Sequence, residues 1–185
     1  MSRKNNTFFA VLGILAKGPQ SGYDIRKHFN GSIRYFWSES YGQIYPTLRE
    51  IVKLEYAVVQ QDVKDPRKKK IYKITDAGTE AFRSWIAEPV NPITYRDELM
   101  LKLFFAKPED RFNLLGLFEN EKEELQQMRD SITAQAAGLK QFKDHESYPF
   151  WTLTIQYGLL STEARLRWCS EVIDSLSALG KKERE

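Results

Sequence analysis

The sequence predicts a mainly α-helical protein that carries one small β-hairpin in its N-terminal half. Apolar residues recur at three- and four-residue spacing over most of the 185-residue chain, which is the period of an amphipathic helix. One segment breaks that period, because β-rich residues there flank an Asp-Pro turn signal. With 42% hydrophobic and 29% charged residues, the composition is that of a globular protein and excludes fibrous and low-complexity classes.

Two short helices are expected at the N-terminus. The first covers residues 6–17 and ends at Gly18-Pro19, a pair that does not continue a helix. The second begins after Ser21, a favourable N-cap residue, and runs to Phe29. Each helix has one apolar face, so we expect both to pack on a shared core.

A third helix is predicted from an apolar stripe at positions i, i+4 and i+7. The stripe consists of Ile44, Leu48 and Ile51. The sequence does not decide where this helix starts. Ser40 and Gln43 have the spacing of a capping box, which favours Ser40 as the N-cap. Pro46 instead belongs in a first turn, which favours a start at Gly42 or Gln43.

The predicted hairpin consists of strands near 56–59 and 71–74, joined by a strongly basic loop over 64–70. Asp65-Pro66 signals the turn. Four consecutive cations end the loop: Arg67, Lys68, Lys69 and Lys70. Thr75 is then the expected cap of a fourth helix.

Two prolines near position 90 mark the expected boundary between two domains. We assign residues 1–90 to the first domain, 91–180 to a helical second domain and 181–185 to a polar tail. The second domain has the pattern of one short helix followed by two long antiparallel helices with a coiled-coil seam.

A pair of long helices leaves apolar surface exposed, so we expect a second copy of the chain to pack there as a homodimer. Most of the residues expected at this interface follow the seam of the two long helices. The expected set is Phe8, Leu125, Met128, Ile132, Leu139, Leu166, Cys169, Ile173 and Leu176.

Charge is distributed unevenly along the chain. The first ninety residues hold 15 Lys and Arg against 9 Asp and Glu, and the remainder holds 13 against 16. A positive first domain suits a polyanion such as nucleic acid, although a surplus of this size also fits ordinary solubility. The single Cys and two His indicate neither a disulfide framework nor a metal site, and no cofactor is expected. No apolar run approaches the roughly 20 residues of a membrane span, so we expect a cytoplasmic protein without membrane contact.

Three helices, a charged hairpin and a fourth helix form the order of a winged helix-turn-helix, with the hairpin as a two-stranded wing. In that fold the third helix enters the major groove of double-stranded DNA, where side chains read base edges, while the wing contacts phosphate. The second domain is then an α-helical C-terminal dimerisation domain. The expected DNA-binding residues are Ser21, Tyr23, Ser40, Gly42, Gln43, Tyr45, Pro46, Arg49, Lys53, Arg67, Lys68, Lys69 and Lys70.

Four motifs resemble the PadR family of transcriptional regulators, and the segment from Arg96 to Phe105, followed by two long helices, resembles its longer subgroup with C-terminal helices. The four motifs are Leu12-Gly13-Ile14-Leu15, Ser21-Gly22-Tyr23-Asp24-Ile25, Gln43-Ile44-Tyr45-Pro46-Thr47-Leu48 and Tyr72-Lys73-Ile74-Thr75-Asp76-Ala77-Gly78. The resemblance implies a homodimeric repressor of a pseudo-palindromic operator, released by a small-molecule effector, and the phenolic-acid-responsive members are the most similar. One departure is Leu54-Glu55-Tyr56-Ala57, where the family often has glycine before the wing.

Several alternatives stand beside this interpretation. A winged helix also serves as a protein-interaction module, but that use favours a neutral third helix and an uncharged wing. Tyr23 and Tyr45 fit either core packing or DNA contact, and Cys169 fits a buried thiol or a redox sensor. No nucleotide-binding loop, zinc-protease motif or nucleophile elbow is present in the sequence, so we do not expect an enzyme. The residues that bind the effector are not identifiable at this level.

Overall fold

The computed structural model describes residues 6–31, 33–37, 41–61, 69–93 and 95–182. The N-terminal elements are α1 (Asn6–Leu15), β1 (Gln20–Ser21), α2 (Gly22–Asn30), α3 (Tyr41–Lys53), β2 (Ala57–Gln61), β3 (Lys70–Ile74) and α4 (Asp76–Ala87). The C-terminal elements are α5 (Glu98–Phe105), α6 (Arg111–Leu139) and α7 (Tyr148–Lys182), with short 3-10 turns at Pro108–Asp110 and Lys140–Phe142. The chain divides into two compact units, Met1–Pro92 and Ile93–Glu185.

The core of the first unit is built by α1, α2 and α3 beneath a small sheet. The predicted stripe of α3 is confirmed, because Ile44, Leu48 and Ile51 are all fully buried. They pack in one cluster with apolar residues of α1 and α2, among them Leu12 and Ile25. Each such side chain contributes about 1.5 to 3 kcal/mol through burial, which fixes the rotation of α3 about its own axis.

Side-chain caps begin two of the predicted helices. Ser21 caps α2, and its hydroxyl accepts a hydrogen bond from the Asp24 N–H at 3.2 Å. Thr75 caps α4, and its hydroxyl accepts from the Gly78 N–H at 3.1 Å while donating to the Glu55 carbonyl at 2.8 Å. Both caps were predicted from sequence and are confirmed.

The sheet has three antiparallel strands in the order β1-β3-β2. Its long ladder joins β2 and β3 from Ala57↔Ile74 to Gln61↔Lys70. The predicted wing is therefore present, although Lys70 belongs to β3 and not to the loop. The sequence missed β1, because a two-residue strand has no alternation to detect.

The connection from α3 to β2 closes with a tight backbone turn. The Tyr56 N–H donates to the Ile51 carbonyl and the Glu55 N–H donates to the Val52 carbonyl, both at 3.0 Å. This pair of bonds is a Schellman motif, which requires a left-handed residue at the position of Glu55. Glu55 has a φ of 59°, so the turn keeps the shape that glycine favours although the residue is glutamate.

The second unit is a long antiparallel helical hairpin with α5 beside it. The Arg111 side chain near the start of α6 donates to the Leu176 carbonyl near the end of α7, at 3.3 Å. The hairpin core includes Leu114, Phe118 and Cys169. Helix α7 begins at Tyr148, and Pro149 lies in its first turn, where proline is tolerated. In the described part of the chain, no helix has the length and apolar character needed to cross a membrane.

Candidate nucleic-acid interface

Helix α3 exposes a polar face opposite its buried stripe. Gln43, Arg49 and Lys53 are exposed on this face, as are Gly42 and Pro46. The helix begins at Tyr41, so the expectation that Pro46 lies in the first turn is wrong. Pro46 has no N–H to donate to the Gly42 carbonyl, and that carbonyl is left for solvent or a ligand. Ser40, the other predicted start, lies outside the described residues.

Tyr45 connects α3 to the first residue of α2. A Cβ placed on Gly22 would lie 2.8 Å from Cε1 of Tyr45, so the ring rests directly on the glycine backbone. The ring is nevertheless 52% exposed, and the neighbouring Tyr23 is 63% exposed. Tyr45 therefore packs against Gly22 and still exposes about half of its side chain to solvent. The two tyrosines and the exposed face of α3 form one surface, and glycine at position 22 permits the close approach.

Tyr72 of β3 lies beneath this surface. Burial raises the pKa of its phenol, and the Tyr45 phenol raises it further, whereas Arg49 opposes the shift. The side chain of Tyr72 is therefore near those of Tyr45 and Arg49 on α3. The base of the wing and the polar face of α3 are thus parts of the same region of the first unit.

Ser21 was predicted as a DNA contact, but it is only 2% exposed. Its hydroxyl donates to Asp24 Oδ2 and accepts from the Asp24 N–H, and its own N–H donates to the same carboxylate oxygen. The side chain is fully engaged inside the protein. It caps α2 and leaves almost no surface of this residue exposed for the predicted DNA contact.

The basic loop is described only at its C-terminal end. Lys69 Nζ lies 3.2 Å from Asp24 Oδ2, and Lys70 is exposed at the first position of β3. The Ser21 hydroxyl first, and Lys69 second, hold the pKa of Asp24 below its ordinary value against the opposing effect of burial. Arg67 and Lys68 lie outside the described residues.

The seam predicted as a dimer interface is used mainly within one chain. Phe8 lies in the core of the first unit, where its ring contacts Phe9 and Tyr56. The buried seam residues are Leu125, Ile132, Cys169 and Leu176, and the half-buried ones are Met128, Leu139, Leu166 and Ile173. Most of the seam is buried in the contact between α6 and α7, because the apolar faces of two antiparallel helices in a hairpin pack against each other. The buried members are unavailable to a second copy.

A second apolar stripe on α7 remains exposed, and the sequence analysis did not separate it from the seam. The stripe consists of Phe150, Leu153, Tyr157 and Leu160, each more than half exposed. Their spacing of three, four and three residues puts them on one side of the helix. At 100° per residue that side lies opposite the buried positions Thr162 and Cys169. The spacing was readable from the sequence, but its orientation was not.

An ion-pair cluster connects the three helices of the second unit. Arg165 of α7 donates to Asp97, the N-cap of α5, and to Glu121 of α6. Arg165 lowers the pKa of Asp97, and hydrogen bonding to Asp97 is the largest of the causes that raise the pKa of Arg165. The cluster borders a cavity of about 580 Å³ that is also lined by Leu117 and Asn120. Burial raises the pKa of the neighbouring Cys169 thiol, which favours its protonated form.

In the first unit, α3 exposes a polar face and is followed by a two-stranded wing, which is the arrangement of a winged helix-turn-helix. This fold is common among DNA-binding transcription regulators. Residues 11–84 match the model of the Transcriptional regulator PadR-like family, and residues 95–177 match the model Virulence activator alpha C-term. Residues 11–84 therefore form a domain of the PadR-like family of transcriptional regulators.

Two relatives illustrate this membership. The Negative transcriptional regulator PadR of Bacillus subtilis is 33% identical over 121 residues, which are 64% of this chain and 66% of the relative, just under two thirds of its length. Its crystal structure in complex with operator DNA matches with a TM-score of 0.78 and 25% identity, over 93% of this chain and 99% of that one. Its structure with p-coumaric acid matches with a TM-score of 0.69 and 24% identity, over 92% and 94%. The Vibrio cholerae virulence activator AphA matches with a TM-score of 0.69 and 28% identity, over 93% and 98%.

Proposed function

We propose that this protein is a cytoplasmic, homodimeric repressor that binds a pseudo-palindromic operator in double-stranded DNA and has no catalytic activity. The observation that carries the proposal is the exposed polar face of α3, fixed in rotation by its buried stripe, in a helix that contacts strand β2 of the wing. The crystal structure of the Bacillus subtilis relative in complex with operator DNA supports operator DNA as the partner of this chain.

Side chains of α3 supply the chemistry of base recognition. Arg49 has paired donors that match the edge of guanine, and Gln43 has the donor and acceptor that match adenine. Both are exposed on α3, as a base-reading residue requires. Lys53 and Lys70 are exposed cations suited to phosphate, which orients the protein without reading sequence.

The homodimer is proposed to form through the exposed stripe of α7. Four large apolar side chains at coiled-coil spacing are costly to leave in water, and the opposite face of α7 is already occupied by α6. A second copy of the chain that packs on this stripe places two recognition helices in one particle. Two half-sites about one helical turn apart, or a multiple of it, are then expected in the operator.

The test is a competition titration of purified protein on the DNA upstream of its own gene, against a shuffled fragment of equal length, at about 150 mM salt. Saturable binding at least about 10³-fold tighter on the natural fragment is expected for a specific regulator. Equally weak binding on both fragments would contradict the proposal and favour a protein partner for the winged helix.

Substituting Arg49→Ala is expected to weaken operator binding by about 1 to 3 kcal/mol and to relax specificity at one base position per half-site. Arg83→Ala is the matched control, since it removes the same charge from an exposed position of α4. A uniform loss on every sequence tested would show that Arg49 contacts phosphate instead of a base.

A second candidate differs from the first only in the sign of regulation. The match of residues 95–177 to a virulence-activator model, and the likeness to AphA, support an activator. A reporter driven by the operator-containing promoter distinguishes the two. Expression that rises when this gene is deleted supports the repressor, and expression that falls supports the activator.

A small aromatic molecule is the proposed effector, and the p-coumaric acid complex of the Bacillus subtilis protein makes that phenolic acid the first ligand to test. Operator affinity and tryptophan fluorescence are measured together while p-coumaric acid is titrated. A loss of affinity with a saturable fluorescence change is expected. If neither signal changes over a panel of phenolic acids, this class of effector is wrong.

A further inference from the structure

We propose that Lys69 is a positioning residue of the wing, held by Asp24 at the start of α2, and not a phosphate ligand. Asp24 is then a positioning residue for operator binding although it is an acid on a DNA-binding face. The inference deepens the proposed function and rests on it for its DNA measurements. It also revises the sequence analysis, which grouped Lys69 with the other cations of the loop.

Asp24 is a firm anchor because it is itself held on several sides. Its Oδ2 accepts from the Ser21 N–H at 3.2 Å, from the Ser21 hydroxyl at 2.5 Å and from Lys69 Nζ at 3.2 Å. Ser21 is in turn paired with Ile71 in the β1-β3 ladder. The carboxylate is therefore tied both to the start of α2 and, through β1, to β3.

Lys69 lies at the end of the basic loop, directly before the first residue of β3. The β2-β3 ladder ends at the pair Gln61↔Lys70, so Lys69 is the first residue beyond it on the β3 side. No backbone ladder fixes the chain direction at that point. The ion pair with Asp24, 45 residues away in sequence, holds the side chain of Lys69 at the start of α2.

The positive charge of Lys69 is already paired with the carboxylate of Asp24. A phosphate that replaced Asp24 would have to break the ion pair and leave a carboxylate facing the DNA backbone, which is unfavourable. The Ser21 hydroxyl and Lys69 also keep the pKa of Asp24 low, so the carboxylate is ionised at neutral pH. Lys70 has no ion pair among the described residues and is the cation that reaches phosphate more freely.

Folding stability depends little on this contact. The side chains of Lys69 and Asp24 are 37% and 36% exposed, and ion pairs at that exposure add little to stability. Lys69→Gln is therefore expected to leave the melting temperature nearly unchanged, while the position of the wing changes. This separates a positioning function from a general effect on folding.

The first experiment measures operator affinity between about 50 and 200 mM salt for Lys69→Gln, Asp24→Asn, the double variant and Lys70→Gln. Lys69→Gln and Asp24→Asn are each expected to weaken binding about three- to five-fold, with no further loss in the double variant and an unchanged salt slope. Lys70→Gln, the matched control for loss of a lysine, is expected to reduce the slope by about one. A slope reduced by about one in Lys69→Gln, with unchanged or tighter binding in Asp24→Asn, would overturn the proposal.

The second experiment needs no DNA. Trypsin cleaves after the basic residues of the loop, so its rate reports how firmly the loop is held. Asp24→Asn is expected to accelerate cleavage there several-fold, whereas Glu80→Gln, which removes an exposed carboxylate from α4, is not. An unchanged rate in Asp24→Asn would overturn the positioning function. If wild-type protein fails to prefer its operator while this cleavage result holds, the proposed function is wrong and the wing contact stands.

Discussion

At the scale of single residues, Glu55 shows how a turn is kept when its preferred residue is absent. The Schellman bonds of α3 hold Glu55 at a φ of 59°, where a side chain is disfavoured by about 1 to 2 kcal/mol. The sequence analysis recognised a departure from the family pattern at this position. The structure adds that the departure changes the residue and leaves the turn intact.

We predict that Glu55→Gly stabilises the first unit by about 0.5 to 1 kcal/mol, since relief of strain exceeds the added freedom of the unfolded chain. Urea unfolding followed by circular dichroism measures the change. Glu50→Gly, at an exposed site in the middle of α3, is the matched control and is expected to destabilise by about 1 kcal/mol. Destabilisation by both substitutions would mean that the Glu55 backbone is not strained.

At the scale of secondary-structure elements, Arg165 holds α5 against the hairpin of α6 and α7. It pairs with the N-cap of α5 and with Glu121 at sequence separations of 68 and 44 residues. Because the folded-state pKa of Asp97 is lowered, its contribution is complete above the unfolded-state pKa of about 3.9. The contribution is lost as the pH falls through the lower folded-state value.

We predict that Asp97→Asn destabilises the protein by about 1 to 3 kcal/mol at pH 7, and that this difference from the wild type shrinks below about pH 4. Urea unfolding at pH 7 and at pH 3 provides the comparison. Glu98→Gln, which removes an exposed carboxylate paired with Lys102, is the control and is expected to have no measurable effect. A difference for Asp97→Asn that is equal at both pH values would contradict an ionic role for the carboxylate.

At the scale of the whole molecule, the second unit has more apolar surface than one chain covers. The seam of α6 and α7 buries one side of each helix, and the exposed stripe of α7 lies on the other side. In α5, Phe104 and Phe105 are also largely exposed. A protein of this composition is expected to cover such surface in an assembly.

We predict that Leu153→Asp together with Tyr157→Asp converts the protein to a monomer at micromolar concentration while its helix content is retained. Sedimentation velocity gives the mass, and circular dichroism gives the helix content. Thr152→Asp changes an exposed residue off the stripe and is expected to leave the dimer intact. A dimer that persists in the double variant would place the interface elsewhere.

Much of the local structure was predictable because its causes are close in sequence. The caps at Ser21 and Thr75 act over three residues, and the buried stripe of α3 follows from helical periodicity. The wing was predictable from strand-forming residues on either side of an Asp-Pro turn. These features predicted the winged helix-turn-helix and the exposed polar face of α3.

The sequence by itself determined the helices, the wing and the family of the first domain, because capping, periodicity and turn chemistry are short-range. Only the tertiary structure decided how those surfaces are used. It paired Lys69 with Asp24, buried Ser21, closed the seam within one chain and left the stripe of α7 exposed. Each of these outcomes depends on contacts between segments far apart in sequence, and a periodic pattern does not specify which partner a face or a charge will meet.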